Sequence, residues 1–113
     1  MASPLLPLNR FVNVAKKITT TDQTVYTVPT GISSIILTAI CTNYTSSAVT
    51  ITATIVKSSI SYYLIPTIEL PANEVMDVVS GRVVLTEGDQ LVIKCNAENS
   101  VDFIMSLNEA AND

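Results

Sequence analysis

VTITATI, residues 49–55, places Val49, Ile51, Ala53 and Ile55 on one parity and Thr50, Thr52 and Thr54 on the other. Side chains alternate between two faces only along a β-strand, so this run is a strand with an apolar face toward a core and a threonine-lined face outward. VDFIMSLN (101–108) repeats the pattern, with Val101, Phe103, Met105 and Leu107 sharing one side. QTVYTVP (23–29) is a shorter strand stopped by Pro29, and Pro29-Thr30-Gly31 is turn chemistry: proline fixes φ and Gly31 accepts a positive one. ISSIILTAICTNY (32–44) differs, being apolar on both parities at its centre. Such a strand is buried on both faces, or is covered on one of them by a neighbouring subunit.

Polar turns separate the remaining runs. Lys57-Ser58-Ser59 leads by a hairpin into ISYYLIP (60–66), and Pro71-Ala72-Asn73-Glu74 divides the following IEL from EVMDVVS, a short strand or bend. Ser80-Gly81 turns into RVVL (82–85), Glu87-Gly88-Asp89 into QLVIKCN, and Ala97 to Ser100 into the strand from Val101. RFVNVAKKI (10–18) is a candidate first strand with imperfect alternation. About eight strands spaced roughly 8–12 residues apart predict an all-β fold, an antiparallel sandwich of jelly-roll-like or Ig-like kind.

A chain of 113 residues supports one core. Ile, Val and Thr supply 39 of its residues, and no long window repeats with a helical period. Charged residues make up only 14%, below the usual quarter of a soluble domain. Either Ser and Thr replace charge, or neighbouring subunits cover much of the surface. The net charge is −4, but Arg10, Lys16 and Lys17 lie in residues 1–17 with no acid, and the remainder carries three cations against ten acids. The expected division is an extended N-terminal arm over 1–17 and a β-sandwich over 18–113, with Glu109 to Asp113 a solvated acidic end. Leu5, Leu6, Leu8 and Phe11 are the arm's apolar anchors, and Arg10, Lys16 and Lys17 meet acidic surface on another copy or on a scaffold. Three cations are too few for a phosphate footprint, so no nucleic acid partner is expected. No run reaches the 18 or so apolar residues of a membrane span.

No arrangement of catalytic residues is expected. There is no histidine, which removes the commonest general base and the commonest zinc ligand. The carboxylates fall in turns or on polar faces, and Asp89 reads as a turn former rather than a calcium ligand. Cys41 and Cys95 lie inside apolar runs, outside any CxxC spacing, and read as buried free thiols of a protein made in a reducing cytoplasm. MASPLLPLNR has no basic leader or continuous apolar stretch and is not expected to be a secretion signal. Asn43-Tyr44-Thr45 matches a glycosylation sequon by chance. Tyr26, Tyr44, Tyr62 and Tyr63 are read as core and strand-face residues, a sugar groove being the alternative. No enzyme activity, cofactor, metal or small-molecule substrate is expected.

From Thr19 to Glu109 the chain resembles small structural proteins of tailed bacteriophages. The features are T-x-x-T-V-Y-T-V-P-T-G (Thr21 to Gly31), the N-Y-T-S-S-A link before V-T-I-T-A-T, the L-P-A-N-E turn, and L-T-E-G-D-Q-L before the penultimate strand. The resemblance implies a β-sandwich virion component assembled in the host cytoplasm, foremost a capsid cement or decoration protein that bridges capsid subunits. Its partners would be other copies of itself, as a homo-oligomer, and the major capsid protein or other virion proteins. A neck, baseplate or fibre-attachment subunit is the alternative within that class, and a glycan-binding module the alternative outside it.

Overall fold

The computed structural model describes residues 9–112. They form nine strands: Asn9–Lys17 (β1), Gln23–Thr27 (β2), Ile32–Asn43 (β3), Val49–Lys57 (β4), Ile60–Leu70 (β5), Val75–Asp77 (β6), Val83–Leu85 (β7), Gln90–Cys95 (β8) and Val101–Ala111 (β9). There is no helix among the described residues. All pairing is antiparallel, in two sheets: β1-β9-β3-β6, with β7 also on β3, and β2-β8-β4-β5.

That order is one long β-ribbon rolled up. The β4–β5 hairpin is its closed tip, and β3 with β6 and β7, β2 with β8, and β1 with β9 pair in succession behind it. Rolling the ribbon lays β9 against β3 and β8 against β4, which is the jelly-roll form of a two-sheet sandwich. The hairpin turns at Ser58 and Ser59, both at positive φ (51° and 67°). This is the primed geometry whose twist matches the flanking strands.

The core is filled from both inner faces. Ile36, Phe103, Met105 and Leu107 of the first sheet and Ile51, Leu91 and Ile93 of the second are all 0% exposed. Val78 and Val79, between β6 and β7, are also buried and interrupt that edge of the first sheet.

Three expectations change. The segment 1–17 is not an arm throughout, because Asn9–Lys17 is an edge strand paired residue by residue with β9, Asn9 to Ala110 and Lys17 to Asp102. Alternation there is imperfect because Arg10 and Lys16 sit on the core-side parity, where a long stem covers apolar surface and the charged head reaches water at the sheet edge. Glu109 is not in a solvated tail, being 4% exposed within β9. IEL is not a separate piece, because β5 runs unbroken through Pro66 and Thr67, absorbing them in register shifts against Ile51, Ala53 and Thr54.

Candidate interaction surface

The register places four rows of side chains across the outer face of the first sheet. At the end where β1 begins, Phe11, Asn108, Ile35 and Val84 lie side by side across β1, β9, β3 and β7. Asn13, Ser106 and Thr38 follow, then Ala15, Ile104, Ile40 and Asp77, and finally Lys17, Asp102, Thr42 and Val75. Phe11 is 80%, Val84 63%, Val75 57% and Ile104 48% exposed. Charge is confined to the far rows, and a shallow hollow of about 270 Å³ lies there, lined by Ala15, Lys16, Lys17, Asp102, Phe103 and Ile104.

The basic residues of the expected arm divide. Arg10 donates to Glu109 Oε1 through Nε at 3.1 Å, with Nη2 at 3.0 Å. Lys17 Nζ lies 2.7 Å from Asp102 Oδ1 and 4.9 Å from the centroid of the Tyr44 ring, and the hydrogen bond to Asp102 raises its pKa. Both cations are therefore partnered within their own chain, while Lys16 is exposed at the end of β1. Phe11 is the most exposed large apolar side chain among the described residues. Leu5, Leu6 and Leu8 lie outside those residues.

The second sheet presents polar surface at its centre. Thr50, Thr52 and Thr54 are half-buried on its outer side, and Thr52 and Thr67 share a hydroxyl hydrogen bond of 2.7 Å. One of its two edges is β5, which exposes Ile60, Tyr62, Tyr63 and Ile68. Tyr62 and Tyr63 stand beside Ile55 and Thr54 toward the hairpin tip, whereas Tyr44 follows β3 at the opposite end, where its N–H donates to Ser100 O. No groove gathers the tyrosines.

Polar side chains elsewhere serve the fold. Asn43 is fully buried, donates to the carbonyls of Ser47, Leu70 and Pro71, and accepts from the Thr45 N–H and hydroxyl. Its amide nitrogen is thus enclosed, and the sequon offers no glycan attachment point. Burial would raise the Asp89 carboxyl, but Lys57 and the Thr86 N–H and hydroxyl donate to it and hold it below the usual carboxylate range. This is turn chemistry, as the Glu-Gly-Asp sequence suggested. Cys41 and Cys95 are free and buried on opposite sheets. Burial, with a contribution from Cys95, pushes the Cys41 thiol up to about 12, and burial also raises Cys95.

The sequence matches no family model and no curated protein. Solved structures do share the fold. A chain of the acid-stable capsid of Helicobacter pylori bacteriophage KHP30 is similar with a TM-score of 0.59 at 10% identity, over 95% of this chain and 90% of that one. Bacillus endospore appendages, described as disulfide-linked pili, give 0.58 at 10% identity over 93% and 88%. The T13 particle of infectious bursal disease virus gives 0.51 at 12% identity, 97% of this chain matching 34% of that one. At such identities the likeness is one of fold.

The apolar residues Ile35, Ile40, Val75, Val84 and Ile104 were not singled out by sequence reasoning. Ile35 and Ile40 had one signal, the two-parity run ISSIILTAI, which a two-layer sandwich can bury on one side only, whereas Val75, Val84 and Ile104 lie outside that run.

Proposed function

We propose that this chain is a non-enzymatic building subunit of a protein shell, and specifically a cement or decoration subunit of a tailed-phage capsid. The observation that carries the reading is the set of large apolar side chains that the described residues leave exposed on the outer face of the first sheet, with Phe11 80% and Val84 63% exposed. Exposed large apolar side chains gathered on one sheet face, here interrupted by the polar row of Asn13, Ser106 and Thr38, mark a site of protein contact. The resemblance of Thr21 to Leu91 to small tailed-phage structural proteins favours a virion, and the fold is similar to a chain of a phage capsid, to spore pili and to a viral particle. Among the described residues no group of three His, Cys, Asp or Glu side chains is placed to hold a metal. The work of such a subunit is multivalent bridging, in which modest contacts repeated over a lattice act together.

The test is copy number. Gel densitometry of the purified particle is expected to find on the order of hundreds of copies, as repeated bridging requires. A dozen or fewer would move the chain to the neck, baseplate or fibre attachment. Its absence from the particle would end the virion reading.

A further inference from the structure

Resting on that reading of the chain as an assembly subunit, we propose that the outer face of the first sheet receives residues 1–8 of a neighbouring copy. Four observations lead there. First, the face has apolar side chains to cover, because the centre of β3 is apolar on both parities while the described residues enclose only its Ile36, Ala39 and Cys41 side. Its other side carries Ile35 and Ile40 in rows with Val84 and Ile104.

Second, the chemistry matches. MASPLLPL holds Met1, Leu5, Leu6 and Leu8 and no charged side chain, and the rows nearest the start of β1 are uncharged too. A cover bearing ions would be desolvated there without partners.

Third, the reach suffices. Eight extended residues span about 26 Å, whereas the three spacings between β1 and β6 make about 14 Å. Phe11 to the hollow beside Ala15 and Lys17 is roughly 13–20 Å along the strand. One such segment therefore has the length to cross the face or to run from the Phe11 row to the hollow.

Fourth, the sequence disfavours the segment's own sheet as the receiver. Covering that sheet requires the chain to reverse immediately before Asn9. Residues 1–8 contain no glycine to take a positive φ, and a residue that precedes a proline, as Ser3 and Leu6 do, is biased toward extended backbone. A segment with that bias is better suited to lie on another copy than to double back over its own sheet. Pro7 also lacks the N–H that a strand added to the β5 edge would need, so the flat face fits this segment better than that edge does.

The experiment is disulfide trapping in the full chain, for which the buried native thiols with raised pKa values form a quiet background. Copies carrying Leu6→Cys are mixed with copies carrying Val84→Cys under assembly conditions and mildly oxidised. The expected result is a covalent dimer in at least several-fold higher yield than either variant gives alone. Leu6→Cys mixed with Tyr63→Cys, an equally exposed position on β5, is expected to stay at background. A second measurement uses Val84→Asp, which should retain the far-ultraviolet spectrum and melting temperature because the side chain is exposed, yet weaken self-association at least tenfold in sedimentation. The proposal is overturned if Tyr63→Cys traps as well as Val84→Cys does. It is equally overturned if the Leu6→Cys/Val84→Cys double variant closes within one chain, or if assembly proceeds with no trapping at position 84. Absence from virions would refute the parent reading and leave these yields to judge the contact separately.

Discussion

Glu109 is a carboxylate on the core side of a central strand, and its burial is tolerable because Arg10 pairs with one oxygen while the Tyr26 hydroxyl donates to the other at 2.6 Å. Ser34 Oγ lies 2.6 Å from the same phenol. Burial first, and then the bond to Glu109, push Tyr26 up to about 12. An unfolded tyrosine loses its proton near pH 10, so between about pH 10 and 12 the folded chain binds more protons than the unfolded one. Stability is therefore expected to fall as pH rises through that window, by roughly 2 kcal/mol. Urea midpoints measured from pH 8 to 12 check this, and Tyr26→Phe should remove the decline while costing about 1 kcal/mol at neutral pH. A decline of the same size in Tyr26→Phe would assign it to other groups. Asn43 carries a larger penalty, since one fully buried amide ties the loop after β3 to Ser47, Leu70 and Pro71. Asn43→Ala strands those carbonyls and the Thr45 donors, and a loss of about 3 kcal/mol in chemical denaturation is expected. A loss below about 1 kcal/mol would mean that the loop re-pairs without it.

Strands flanked on both sides were the most legible elements. In β4 the burial alternates from Val49 to Val56 as the Val/Ile/Ala against Thr pattern requires, and in β9 the residues Val101 to Leu107 do the same. Edge strands were harder to read, because water reaches one side of them and the parity rule relaxes, as with Arg10 and Lys16 in β1. Strand order was not legible at all: Asn9 pairs with Ala110, and nothing local in either segment specifies the other. β3 gave a true signal with an ambiguous meaning, since its second apolar parity belongs to an outer face that the described residues leave open. β5 illustrates how an edge is managed. Pro66 removes a donor and Thr67 sits at φ 62°, which blunts the half nearest Leu70, but Ile60–Ile65 is uncharged and exposes two tyrosines. A free, apolar, uncharged edge recruits further strands. Tyr63→Lys is therefore expected to raise the concentration at which light scattering begins, with stability changed by no more than about 0.5 kcal/mol. Pro66→Thr, which restores a donor, should lower that concentration. Equal scattering thresholds in all three proteins would show that this edge is already protected.

On the scale of the whole molecule, the rolled ribbon makes β9 the strand on which the first sheet depends. It pairs with β1 from Asn9 to Lys17 on one side and with β3 from Ile32 to Asn43 on the other. Most of these partners are far apart in sequence, so closing them is entropically slow, and folding in milliseconds to seconds is the expectation for such a topology. The same arrangement predicts opposite outcomes for two truncations. Removing residues 1–8 leaves every pair of β1 and β9 in place, and a change in unfolding free energy within about 0.5 kcal/mol is expected. Removing residues 108–113 deletes the β9 partners of Asn9, Arg10 and Phe11 and of Ile32 to Ile35. It also deletes Glu109, leaving the Tyr26 hydroxyl without its carboxylate and Arg10 without its ion pair. Broken ladder bonds, an opened core beside Ile36 and Leu107, and unpaired polar groups together should cost more than about 4 kcal/mol. Domains of this size hold only about 5–15 kcal/mol in all, so that shorter chain should be largely unfolded or melt far below the full one. Urea denaturation of both truncations, followed by far-ultraviolet circular dichroism, gives the comparison. Native stability in the chain lacking 108–113 would mean that β1 and β3 hold the sheet without their central partner at that end, contrary to the rolled-ribbon pairing.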